Sequence, residues 1–113
     1  MTADEMLELL EFKKDKDGHA LKVPHIAWNE VEYPDEIPER LFEGIPNKSA
    51  MYFVHSFFAK PREPKTCVGV TEYGINRFCS AVCSGNVRGV QFHPELSGKA
   101  GLRLLENFVK KIL

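Results

Sequence analysis

Net charge is almost missing from this chain: 15 Lys+Arg stand against 16 Asp+Glu, leaving −1. That balance gives no electrostatic reason to expect a nucleic acid or an anionic membrane surface as partner. Long hydrophobic runs are missing too. The longest apolar stretch, around Met51–Ala59, is broken by His55 and Ser56 and is far too short to cross a bilayer. In the first thirty residues Asp4, Glu5, Glu8 and Glu11 interrupt the only apolar cluster, and no basic segment precedes it, so no signal peptide is expected. Cysteine is scarce and odd in number: Cys67, Cys79 and Cys83. Without a secretion signal that count favours reduced thiols in a cytoplasmic protein. Cys79 and Cys83 lack the second ligand pair of a structural zinc site, so no metal is expected. Internal repeats and low-complexity segments are absent.

What remains is a chain of 113 residues, 43% apolar and 27% charged, which is globular composition. One domain of this size buries about two-thirds of the surface its unfolded chain exposes. Met1–Lys14 reads two ways. Thr2 and Glu5 have capping-box spacing with Met6, Leu9 and Leu10 following at helical intervals, but the same residues could form a strand leading into Phe12. Lys13–Gly18 is a solvated turn, and Glu36–Glu43 has room for one or two helical turns among Pro34, Pro38 and Pro46. Strands are expected over Ala50–Ala59, ended by Pro61 and Pro64, and over Thr66–Tyr73, closed by Gly74. Phe78–Val82 and Val87–Phe92 flank a Gly85-Asn86 hairpin signal. Met51, Phe53 and Phe57 read as sheet packing. Ser97–Leu113 predicts a helix, with Ser97 as N-cap, Lys110 and Lys111 near its carboxyl end, and a core stripe of Leu102, Leu105, Phe108 or Val109, and Ile112. Strands followed by an amphipathic helix give an α/β architecture.

Chemistry concentrates in Gly89-Val90-Gln91-Phe92-His93-Pro94-Glu95. On an extended chain His93 and Glu95 share one face. Pro94 has no N–H to donate, so sheet pairing should stop there, at the carboxyl end of a strand where open α/β sheets hold ligands. An imidazole that shuttles protons needs a partner to fix its tautomer, and a carboxylate two residues on can supply one. Taken alone, a His-x-Glu is more often a surface pair at a loop mouth. His19 reads as a turn residue and His25 as satisfying a backbone carbonyl.

The longer Gly-Val-Gln-Phe-His-Pro-Glu motif resembles the segment that ends the triad of class I glutamine amidotransferases. Thr71-Glu72-Tyr73-Gly74 before it and Ser97-Gly98 after it agree. Val23-Pro24-His25-Ile26-Ala27-Trp28-Asn29 and Met51-Tyr52-Phe53-Val54-His55-Ser56-Phe57 are similar to two motifs of the amidotransferase subunits of imidazole glycerol phosphate synthases. The resemblance covers about residues 20–113. It implies a flavodoxin-like α/β fold with a mixed sheet and a terminal amphipathic helix. It implies a glutaminase in histidine biosynthesis that hydrolyses L-glutamine through a cysteinyl thioester, needs no cofactor, and passes ammonia to a cyclase subunit. His93 would be the general base and acid and Glu95 the residue orienting it. His55, Ser56 and Phe57 would line the glutamine pocket through backbone groups, and Trp28 and Tyr52 would face the cyclase subunit. Ala27 stands where the family has Gly, so its backbone angle is either ordinary or strained. Leu96 stands where many members have Lys, and Phe57 where Tyr is usual. Such departures could mark a paralogue serving another acceptor, such as a nucleotide sugar.

The family's nucleophile lies in a Gly-x-Cys-x-Gly elbow, a strained strand-to-helix turn that exposes the sulfur beside oxyanion-stabilising N–H groups. Nothing upstream of residue 20 resembles it. Ala81-Val82-Cys83-Ser84-Gly85 looks similar only superficially, because it runs into a hairpin where no helix dipole lowers the thiol pKa. Cys83 therefore reads as a small buried hydrophobe or hairpin residue, and Cys67 and Cys79, on strand candidates, read the same way. The expectation is a partial amidotransferase domain over 1–113, inactive without an elbow-bearing N-terminal half. The alternatives are a non-catalytic interaction remnant and an independent hydrolase using Cys83.

Overall fold

The computed structural model describes residues 7–11, 25–34 and 39–112. Among the described residues seven strands precede one α-helix: β1 (Leu7–Glu11), β2 (His25–Val31), β3 (Ser49–His55), β4 (Phe57–Pro61), β5 (Cys67–Tyr73), β6 (Asn76–Ser84), β7 (Val87–Val90) and α1 (Gly98–Asn107). The β1 segment answers the ambiguity at the amino end for those five residues: it is a strand, paired antiparallel with β4. Thr2, Met6 and the Lys13–Gly18 turn lie outside the described residues. Of the expected turns in Glu36–Glu43, residues 40–42 form a single 3-10 turn, Arg40–Phe42.

The stretch Ala50–Ala59 is two strands, not one. A bend at Ser56 sends β3 to β2 and β4 to β1. That bend also breaks the alternation, so Met51 and Phe53 are buried as expected whereas Phe57 is exposed. The third sheet has the order β5-β6-β7, its last two strands joined by the expected two-residue turn with Ser84 opposite Val87. Gly85 takes φ 61 there, a left-handed angle that costs a residue without Cβ nothing. Every strand pairing among the described residues is antiparallel. The β2–β3 ribbon joins the third sheet through a bridge just past its end, where Glu32 and Val70 exchange both backbone hydrogen bonds at 2.8 Å.

The inner face of the β2–β3 ribbon, the β5–β7 sheet, the 41–45 segment and one side of α1 enclose the core. Phe53 is at its centre, edge-on to Phe78 and Phe92 at 6.1 and 5.7 Å. The helix buries a different stripe from the one its leucines suggest. Leu102, Leu105 and Val109 are exposed, whereas Gly101, Leu104 and Asn107 are buried and Phe108 and Ile112 pack at the margin of the core. Two causes are visible. Asn107 is drawn inward because its amide donates to the Leu41 and Glu43 carbonyls at 3.0 and 2.8 Å. Gly101 lets the helix touch the preceding turn. A Cβ there would stand 2.0 Å from the Pro94 carbonyl oxygen. The helix then widens into a π turn over Phe108–Ile112. No helix among the described residues is long and apolar enough to cross a membrane.

Candidate functional site

The site is built along β3. Tyr52 lies opposite Trp28 in the ribbon, and its own backbone groups bond to the turn that follows β7. His93 N–H donates to the Tyr52 carbonyl at 2.9 Å. Tyr52 N–H donates to Ser97 Oγ at 2.9 Å, and the Ser97 hydroxyl donates to the His93 carbonyl at 2.6 Å. Three hydrogen bonds thus close a ring that fixes where His93 leaves the sheet. Ser97 occupies the N-cap position but makes no capping bond, because its buried hydroxyl is committed to this ring. That corrects the expected capping role.

β7 ends at Val90, and Pro94 starts a 3-10 turn, Pro94–Leu96, as its fixed φ favours at the first position of a helical turn. His93 and Glu95 therefore meet across a turn instead of along a strand face. Their side chains are 2.8 Å apart, Nδ1 to Oε1. A carboxylate can only accept, so Nδ1 carries the hydrogen and Nε2 is the basic nitrogen. Both side chains are about half exposed, at 46% and 55%.

Past Tyr52, β3 ends at His55, and the bend at Ser56 and the start of β4 at Phe57 follow at once. His55 lies opposite His25, with Nε2 2.9 Å from His25 Nδ1, and its own Nδ1 is 2.8 Å from the Phe57 carbonyl. Burial lowers the pKa of His55, and the nearby His93 lowers it further against the Phe57 carbonyl that raises it. His25 is wholly buried and held down to about 4, first by burial and then by His55. Its side-chain contacts with His55, and with Asn29 at 3.4 Å, go beyond the backbone-satisfying role expected of it.

On the outer face of the ribbon Trp28 and Tyr52 meet edge to face at 5.7 Å. Ile26, Trp28 and Val54 are all exposed there, Trp28 at 56%. Ala27 lies within β2 and is not among the described residues with positive φ, so its backbone angle is ordinary.

The thiols lie elsewhere. Cys83 is on β6, one residue before its hairpin end, and is pushed up to about 11 by burial and then by the Glu39 carboxylate, the opposite of what a nucleophile needs. Glu39 also takes Arg88 at 3.1 Å. Cys67 and Cys79 sit on neighbouring strands, their thiols donating to the Gly69 and Ala81 carbonyls at 3.3 and 3.1 Å. The closeness of the two sulfurs lowers Cys67 to about 7 and raises Cys79. Among the described residues no three His, Cys, Asp or Glu side chains gather as a metal site would require.

Sequence reasoning passed over Ser97 as a bridge, Gly101 and His25. Gly101 carried a signal: glycine inside a helix costs about 1 kcal/mol relative to alanine and often marks a close approach.

A histidine–glutamate pair on a turn fastened to the sheet beside a second histidine agrees with the motif resemblance, and comparison with known proteins gives the class. The chain belongs to the class I glutamine amidotransferase family, whose family model matches residues 11–112. Its fold is accordingly the α/β, flavodoxin-like fold of that family, with a terminal amphipathic helix. Among individual proteins it is similar to the imidazole glycerol phosphate synthase subunit HisH of Moorella thermoacetica, 45% identical over 90% of this chain and 47% of that one. It is 55% identical to the HisH subunit of Thermococcus kodakarensis over 78% of this chain and 46% of the relative. With the HisH subunit of Pyrococcus furiosus the identity is 49% over 78% and 44%. The chain spans about half the length of the curated relatives it matches.

Proposed function

We propose that this chain carries the histidine–glutamate arm of a glutaminase site, as part of the amidotransferase subunit of an imidazole glycerol phosphate synthase in histidine biosynthesis. The observation that carries the reading is the 2.8 Å contact between His93 Nδ1 and Glu95 Oε1 on a turn tied to β3. Glu95 holds the imidazole as its Nδ1–H tautomer and steadies the imidazolium that forms. Nε2 then takes the proton of an attacking thiol and returns it to departing ammonia. The thiol comes from a Gly-x-Cys-x-Gly elbow in an N-terminal half, so residues 1–113 are a partial domain. His55, Ser56 and Phe57 line the glutamine pocket. Trp28 and Tyr52 face the cyclase subunit, to which ammonia passes, and the exposed apolar face they share supports that role. The chemistry uses thiol, imidazole and carboxylate groups and calls for no cofactor. The cytoplasm is the compartment in which it operates.

The test is release of glutamate and ammonia from glutamine, by the chain alone and by the chain assembled with an elbow-bearing half and the cyclase subunit. The chain alone is expected to release none. In the active assembly His93→Ala lowers turnover by about a thousandfold or more. Unchanged turnover would remove His93 from the mechanism. Activity of the chain alone, lost on Cys83→Ser, would move the nucleophile to Cys83.

A further inference from the structure

His25 opens β2 yet is wholly buried, its ring stacked on Tyr73 at 4.0 Å and Phe53 at 5.2 Å. The proton positions in its neighbourhood follow from one fixed point. The Phe57 carbonyl can only accept, so His55 Nδ1, 2.8 Å away, carries a hydrogen. Burial keeps both rings neutral near pH 7, and a neutral imidazole carries one hydrogen. His55 Nε2 is then a lone pair, and the hydrogen between the rings belongs to His25 Nδ1, 2.9 Å away. His25 Nε2 in turn faces the Asn29 amide at 3.4 Å, and that same amide donates to the Glu72 carbonyl at 2.9 Å. The result is a one-way relay, Asn29 to His25 to His55 to Phe57. It places both rings in the Nδ1–H form, the minor tautomer of imidazole in water.

We propose that His25 is a positioning residue of the glutamine pocket: by donating to His55 Nε2 it directs His55 Nδ1–H onto the Phe57 carbonyl and holds the Ser56 bend that shapes the pocket. This rests on the glutaminase reading for the pocket's occupant. The relay itself rests on the register and the contacts. Because both nitrogens of His55 are engaged, the ring holds the bend and leaves substrate recognition to the backbone of 56 and 57. The same arrangement keeps a second positive charge from forming beside His93, whose charge His55 senses. A histidine that merely filled the core would need its stacked ring and not its N–H.

Long-range proton–nitrogen spectra of the histidine-labelled 113-residue chain read each tautomer directly. His25 and His55 are expected as Nδ1–H rings at pH 7.5, and an Nε2–H ring at either position overturns the relay. In the assembled enzyme His25→Phe keeps the stack and removes the donor. It is expected to raise KM for glutamine about tenfold while kcat stays within about threefold, the scale of one lost hydrogen bond. His25→Asn, whose amide nitrogen can stand in for Nδ1–H, restores KM. An unchanged KM in His25→Phe, or a His25→Asn that behaves like it, overturns the positioning role. An unsubstituted assembly that makes no glutamate defeats the glutaminase reading and takes the pocket role with it. Wrong tautomers defeat the relay and leave that reading standing.

Discussion

Ser97 matters for what its hydroxyl joins. It accepts from Tyr52 N–H and donates to the His93 carbonyl, 2.9 and 2.6 Å away. Ser97→Ala would take the acceptor from Tyr52 N–H beside a side chain that is 2% exposed, while the His93 carbonyl keeps its bond from Leu96 N–H at 3.0 Å. The expected cost is about 1–3 kcal/mol, read as a lower midpoint in urea unfolding, with faster amide exchange at Tyr52. An unchanged midpoint together with unchanged exchange would show that the ring of hydrogen bonds does not hold the turn. At this scale legibility depended on distance along the chain. His93 and Glu95 are two residues apart, so their pairing could be read from sequence even though the turn that achieves it is not the extended chain expected. Ser97 reaches Tyr52 across 45 positions, and the local rule for a serine before a helix pointed to a cap. His25 and His55 are 30 positions apart and meet only because β2 and β3 pair in one register.

Among the elements, α1 shows most plainly how packing overrides pattern. Its leucines repeat at helical spacing, yet the face turned to the core is set by the residue that permits the closest approach. Gly101 meets Pro94 where no Cβ fits. Gly101→Ala must push the helix off the turn that bears His93, at about 1–3 kcal/mol. The expected result is a depressed unfolding midpoint and, in the assembled enzyme, a fall in turnover with it. Full stability in Gly101→Ala would mean that α1 can shift without strain. The hairpin between β6 and β7 was legible because its Gly-Asn turn is a local instruction. The division of Ala50–Ala59 at Ser56 was not, since aromatic and β-branched residues favour a strand on both sides of it and only the separate partners of β3 and β4 decide the break.

At the scale of the whole molecule, the described residues present two apolar surfaces outside the core. One is the outer face of the ribbon, and the other is the outward side of α1, where Leu102 is 62% exposed. Contiguous exposed apolar surface is a common mark of an interaction site. Under the proposed function the ribbon face meets the cyclase subunit. Trp28→Ala is therefore expected to weaken that association about thirtyfold, as loss of an aromatic anchor does. Calorimetric titration measures it, and an unchanged Kd would place the interface elsewhere. The family and its motifs were readable from sequence across most of the chain. The stripe that α1 buries was not, because the leucine spacing gives no hint of which side the rest of the fold will occupy.

Tyr52 divides its duties by chemistry. Its main chain holds the turn that bears His93, and its ring lies with Trp28 on the outer face. Side-chain replacement at this position leaves the main-chain anchor in place, since every residue except proline offers the same N–H and carbonyl. Under the proposed function the docking surface can thus be redrawn, by drift or by an engineer, while the turn that bears His93 inherits its geometry unaltered.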